Sequence, residues 1–140
     1  MKRLFLDTNI IVDLLANRTP YSFQARELLV LAENKKIRLY TSTHAIVTAH
    51  YLLKKYSDER NLRKSLSYLL EIVTAITIDA DILQKSLKAG HKDFGDSIQI
   101  FCAYTIDNIF AIVTRNPKDF KSSAVSVYAP DAILNILDKS

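Results

Sequence analysis

The chain of 140 residues has one cysteine, Cys102, so it forms no internal disulfide and offers no thiolate cluster to zinc. A reducing compartment follows as the simpler expectation. No apolar run approaches the roughly 18 residues of a membrane span, and the four or five apolar residues after Met1-Lys2 are too few for a signal-peptide core. The expectation is a cytoplasmic protein that does not engage a membrane. Glycine occurs twice, proline three times and tryptophan not at all, with no repeat, low-complexity tract or linker. Seven Tyr and six Phe fall mostly inside apolar runs, which reads as core packing and not as a base-stacking platform. What is present is ordinary for a globular protein: 49% hydrophobic and 24% charged residues, enough for one domain over 1–140.

Short apolar runs alternate with helix-like stretches. Strands are expected at 3–6, 37–41, 75–78, 109–113 and 125–128. Helices are expected from Thr8 to Ala16, Pro20 to about Glu33, Ser42 or Thr43 to Lys55, Asp58 to Glu71, Asp79 to Ala89, Asp93 to about Tyr104 and Pro130 to Leu137. Leu62, Leu66, Leu69, Leu70 and Val73 keep a 3.6-residue spacing, which predicts one buried helix face. Near-continuous apolar strands separated by helices imply an α/β fold, a mostly parallel sheet of about five strands covered on both faces.

Asp7 stands at the exit of the first strand, where a parallel sheet faces its ligand crevice. The strand 109–113 ends similarly in Thr114-Arg115-Asn116, with Asp119 beyond it, and Asp93-Phe94-Gly95-Asp96 opens a late helix. Oxygen-bearing side chains at two strand ends and one helix start predict a shared acidic pocket able to hold a hard cation. Each acid also has a plainer reading. Asp7 and Asp93 are good helix N-caps, Asp96 suits the positive end of its helix, and Asp119 reads as a loop acid. Asp13, six residues past Asp7, reads as facing solvent or a neighbouring arginine. Gly95 is costly in a first helical turn, by about 1 kcal/mol, and implies a close approach of backbone or ligand. His44 and His50 lie six apart on one helix, a spacing that does not make a metal pair.

The runs Leu4-Phe5-Leu6-Asp7-Thr8-Asn9, Asp93-Phe94-Gly95-Asp96-Ser97-Ile98-Gln99 and Ile112 to Phe120 together resemble a PIN domain of the small bacterial, VapC-like branch, across nearly the whole chain. That resemblance implies a three-layer α/β/α nuclease in which clustered acids hold Mg²⁺ or Mn²⁺ and RNA is cut. It assigns Asp7 and Asp96 as metal ligands and places Asn116 and Asp119 with them in the catalytic set. Thr8, Asn9, Thr48, Asp93 and Thr114 are in support. Thr48 occupies the place where relatives commonly carry Glu, and some relatives have an acid in place of Gly95. The resemblance also implies an antitoxin partner whose tail covers the acidic pocket, and a homodimer; the helix with Ile133, Leu134 and Leu137 and the helix from Tyr21 to Leu31 are candidate interface elements.

The formal net charge is +4, from 19 Lys and Arg against 15 Asp and Glu. Gathering acids into one pocket leaves a more basic rim, in which Arg115, Lys118 and Lys92 are candidate RNA contacts. Two other function classes stay open on the residues alone. One is a PIN-like module that binds RNA or protein without turnover, suggested by Thr48 and Asn116. The other is a phosphatase-like hydrolase with Asp7 as nucleophile, although Asn9 stands where the general acid is needed.

Overall fold

The computed structural model describes residues 1–139; Ser140, the last residue of the expected domain, lies outside them. In chain order the elements are β1 (Lys2–Leu6), α1 (Thr8–Ala16), α2 (Tyr21–Glu33), β2 (Ile37–Ser42), α3 (Thr43–Leu53), α4 (Glu59–Ile72), β3 (Val73–Ile76), α5 (Ala80–Lys88), α6 (Phe94–Tyr104), β4 (Ile109–Val113), a 3₁₀ turn (Pro117–Phe120), β5 (Val127–Tyr128) and α7 (Pro130–Asp138). The sheet has the order β3-β2-β1-β4-β5, and every pairing is parallel.

Alternation along the strands builds the three layers. Leu4, Leu6, Ala111 and Val113 join a core with α1, α2, α3, α4 and α7, while Phe5 and Ile112 point the other way, into a core with Ile82, Ile98, Ile100, Cys102 and Phe120. Both faces of β1 and β4 are therefore buried, which is why their sequences show no polar alternation. Strand order reverses between β1 and β4. Asp7 continues past β1 by donating its N–H to the carbonyl of Val113 at 2.9 Å. The crevice of such a sheet opens at this switch point, above the carboxyl ends of β1 and β4.

Helix starts were well marked in the chain. The side chains of Ser42, Asp58, Asp79 and Asp93 each accept a first-turn N–H of the helix that follows. Other boundaries differ from expectation. Val73 leaves the α4 stripe to become the first residue of β3, paired with Leu39, so the strand runs 73–76 and not 75–78. Leu70, counted with that stripe, is exposed. Here strand pairing outweighed a helical period that continued for one more residue. The strand expected at 125–128 shrinks to Val127–Tyr128, Pro20 precedes α2 instead of lying in its first turn, and α5 stops at Lys88 before reaching Gly90. Ile133 is completely buried in the core, which removes it from the candidate interface residues of α7.

Candidate active site

Asp7 follows β1 and caps α1 through its own side chain, with Thr8 N–H donating to Oδ1 at 2.8 Å. The cap and site readings of this residue are thus compatible, because the same carboxylate reaches two further groups. Thr114, fully buried after β4, donates its hydroxyl to Asp7 Oδ2 at 2.8 Å. Gln99 on α6 donates its amide to Asp7 Oδ1 at 3.2 Å and to Thr8 Oγ1 at 3.1 Å. Ser42, at the end of β2, donates its hydroxyl to Gln99 Oε1 at 2.5 Å and fixes the amide's orientation. Asn9 spans the gap to the loop after β4, donating Nδ2 to Thr114 Oγ1 and accepting the Arg115 N–H on Oδ1, each at 3.3 Å. Asn116 N–H also donates to Thr114 Oγ1, at 3.2 Å.

The Thr114 hydroxyl is the node of this network. Replacing Thr114 by Val keeps the shape but leaves Asp7 Oδ2 and Asn9 Nδ2 short of a partner in a buried site. The expected loss is about 1–3 kcal/mol, read as a lower urea midpoint at unchanged slope.

Asp96 sits in the first turn of α6, where the side chain of Asp93 accepts the Asp96 N–H at 2.9 Å. Among the described residues its own carboxylate receives no hydrogen bond. Partial burial, then the charges of Asp93, Asp7 and Asp119, push its pKa up from 3.8 to about 6. Gly95 has a local cause as well: a Cβ there would stand 3.2 Å from Asp93 Oδ1, so a side chain would press on the cap. An acid at 95 would crowd the residue that starts the helix.

Asp7, Thr8, Asn9, Val12, Arg18, His44, Thr48, Leu52, Gly95, Asp96, Gln99, Arg115 and Asn116 line one open cavity of about 390 Å³. The structure therefore brings together Asp7, Asp96, Asn116, Thr8, Asn9, Thr48 and Arg115 from the expected set, with Thr114 directly beneath. Asp119 is exposed on the 3₁₀ turn and Asp93 is exposed at the α6 cap; both act on Asp96 through charge but do not line the cavity. Lys92 and Lys118 are exposed and lie outside the lining. Of the two histidines on α3, His44 faces the cavity near Thr48, with 3.5 Å between Nε2 and Thr48 Oγ1, whereas His50 pairs with Glu59.

Sequence reasoning missed Gln99 and Arg18 and left Asp13 between solvent and a neighbouring arginine. Gln99 interrupts the apolar run Ile98 to Cys102, and a lone amide in a buried stripe was the available signal. Asp13 similarly follows Ile10-Ile11-Val12. It does not face solvent: it is 1% exposed, with Oδ2 at 2.7 Å from Arg115 Nε. Arg18, whose Nη1 is 3.9 Å from Asp13 Oδ1, had no signal beyond its charge.

The donor set is one of hard oxygens. Among the described residues no group donates to the Asp96 carboxylate, and a carboxylate has roughly four acceptor sites, so Asp7 keeps one free after its three donors. Among the described residues no three His, Cys, Asp or Glu side chains gather closely enough to grip a metal by themselves. Two carboxylates nevertheless fit a Mg²⁺-like ion, which usually retains waters and takes further oxygens from substrate phosphate. Burial and, after it, the charges of Asp93, Asp7 and Asp119 raise the Asp96 pKa, and such an ion would offset those charges. No helix among the described residues is long and apolar enough to cross a membrane.

By sequence, the PIN domain family matches residues 3–118. The chain is similar in structure to one from the crystal structure of VapBC2 from Rickettsia felis bound to a DNA fragment from their promoter. The TM-score is 0.66 at 19% identity, over 91% of this chain and 98% of that one. A chain from the structure of FitAB bound to IR36 DNA fragment gives 0.63 at 16% identity, over 91% and 94%. No curated protein matches by sequence.

Proposed function

Because the chain belongs to the PIN domain family, whose members are in general nucleases, we propose that it is a divalent-metal-dependent endoribonuclease, the toxin of a toxin–antitoxin pair. One observation carries this reading: Asp7 and Asp96, remote in sequence, line the same cavity as Arg18 and Arg115. The cavity thus has an anionic wall for a cation and a cationic wall for a phosphodiester.

Asp7 and Asp96 would hold Mg²⁺ or Mn²⁺ directly, with the Asn116 amide as a neutral oxygen or water holder. Such an ion supplies charge neutralisation at the phosphate and a lowered pKa for an attacking water. The chain's part is positioning. Gln99, Thr114 and the Thr8 N–H lock the Asp7 carboxylate, so it meets the cation without reorganising. Asp93 and Asp119 add negative potential around Asp96 from outside the cavity. Arg115 would contact the strand's phosphates, with Lys118 and Lys92 at greater distance. Thr48, in the place of the family's Glu, leaves one carboxylate fewer and predicts weak metal affinity.

Single-stranded RNA incubated with Mg²⁺ or Mn²⁺ should be cleaved, cleavage should stop with EDTA, and Asp7→Asn should remove it. Cleavage that persists unchanged in Asp7→Asn, or none with either ion, would sink the nuclease reading. The thin set of metal-ligating side chains favours one rival, a PIN-fold module that binds RNA without turnover; metal-independent binding with no product would support it. The phosphatase-like reading has less behind it. Asn9 carries an amide tied to Thr114 and Arg115, and an amide N–H is far too weak an acid to protonate a leaving group.

The similarity to chains of VapBC2 and FitAB supports an antitoxin partner, and we extend that reading to a partner whose tail covers the acidic pocket and to a cytoplasmic homodimer. Mixing the protein with a candidate antitoxin and measuring mass in solution should show a larger complex and loss of cleavage. A monomer that ignores the antitoxin would contradict this.

A further inference from the structure

Asp13 is a carboxylate that neither the fold nor the cation requires. It follows three buried apolar residues on α1 and is itself 1% exposed. Neither of its oxygens accepts a hydrogen bond. Arg115 Nε lies only 2.7 Å from Oδ2, but the contact is too bent to count as one, and Arg115 Nε is left without an acceptor as well. A buried ion pair with such geometry is a poor stabiliser, since desolvation of both charges offsets their attraction and apolar residues of similar size would serve as well.

The surroundings suggest what the pair does instead. α1 ends at Asn17 in a left-handed conformation, with φ of 56°, and the N–H groups of Asn17 and Arg18 both turn back to the Asp13 carbonyl. That turn carries Arg18 over Asp13. Arg115 is flanked on three sides: its backbone N–H donates to Asn9, its Nε is drawn to Asp13 by charge at 2.7 Å, and its guanidinium lies over the ring of Tyr21, 4.3 Å from Cζ to the ring centroid. Among the described residues neither terminal nitrogen donates a hydrogen bond, and the residue lines the cavity. An arginine fork fixed at one edge and stacked on one face offers its remaining N–H groups in one orientation, the arrangement that suits a phosphate oxygen pair.

We propose that Asp13 is a positioning residue that, with Tyr21, presents the Arg115 fork to a backbone phosphate of the bound strand, with Arg18 as a second cation beside it. This rests on the RNA reading of the cavity and adds the residues that orient its cationic wall. The proposal makes a prediction of unusual sign. Removing a negative charge from a protein that binds a polyanion should, by charge alone, tighten binding. If Asp13 orients Arg115, Asp13→Asn weakens it.

The test uses a short single-stranded RNA in EDTA, so that no turnover occurs, with affinity read by fluorescence anisotropy across a salt series. Asp13→Asn should lose roughly tenfold in affinity, Arg115→Ala a similar amount with a salt slope smaller by about 0.7, and the double variant no more than Arg115→Ala alone. Wild-type or tighter binding by Asp13→Asn, or fully additive losses, would overturn the proposal whatever happens to the melting temperature. If Asp13→Asn does not fold, Tyr21→Leu takes its place, with the same non-additivity expected and wild-type affinity again overturning it. A wild-type protein that binds no RNA would instead defeat the RNA reading. In that case the Arg115 Nε–H signal in NMR, titrated with inorganic phosphate, decides the positioning claim: a phosphate shift lost in Asp13→Asn supports it, and an unaltered shift overturns it.

Discussion

Asp96→Asn should abolish metal-dependent cleavage and, in the metal-free protein at pH 7, make the fold more stable. The activity loss is expected to be at least a hundredfold, because the unsatisfied carboxylate of the pair is replaced by a neutral amide that attracts a cation far less. The gain in stability follows from the raised pKa of Asp96, about 6 against an ordinary 3.8. A carboxyl whose folded-state pKa is raised holds its proton more tightly folded than unfolded. Its penalty is absent below about pH 4, grows as pH rises through the interval to about 6, and is complete above that. About two pKa units would correspond to roughly 3 kcal/mol; partial solvent screening and the loss of a favourable helix-start charge reduce this to about 1 kcal/mol. Urea unfolding in EDTA at pH 4 and pH 7 checks it. The two proteins should nearly coincide at pH 4 and separate at pH 7, with the variant more stable. Adding Mn²⁺ should stabilise the wild type and leave the variant where it was.

Thr48→Glu should tighten divalent-metal binding by about tenfold or more and raise cleavage at limiting Mg²⁺. Thr48 lines the cavity with Asp7 and Asp96, and its hydroxyl has only a long contact to His44 to lose. A full charge in the same cavity as a divalent ion, at an effective dielectric near 20, is worth a few kcal/mol before desolvation and side-chain ordering are subtracted. In the apo protein the same substitution adds a fourth acid near Asp96 and should lower stability at neutral pH. Calorimetric Mn²⁺ titration reads the first effect, and unfolding in EDTA reads the second. Unchanged metal affinity would show that position 48 does not face the cation.

How much of this was legible in the chain differs by element. β1 from Leu4 onward and the whole of β4 are apolar and run directly into Asp7 and Thr114, so their burial, their parallel pairing and the position of the crevice followed from local sequence. The helix caps Asp58, Asp79 and Asp93 were equally local. Val73 was not, because whether it extends a helix or begins a strand depends on β2 lying ready to pair with it, more than thirty residues earlier. The same holds within the site. The carboxylates announced themselves by type and position, yet what fixes them, Gln99 to Asp7 and Ser42 to Gln99, spans 92 and 57 residues. Asp13 was left between two readings for a related reason. Its place on α1 left solvent or a neighbouring arginine open, and only the return of the chain after β4 brings Arg115 down on it and closes off the water.

The claim on which the rest depends is that the oxygens of residues 7 and 96 share one cation. Electron paramagnetic resonance of Mn²⁺ titrated into metal-free protein measures this without reference to substrate or turnover. One bound ion per chain is expected for the wild type, with its signal abolished in Asp7→Asn and in Asp96→Asn alike. Equal Mn²⁺ binding by all three proteins would contradict it.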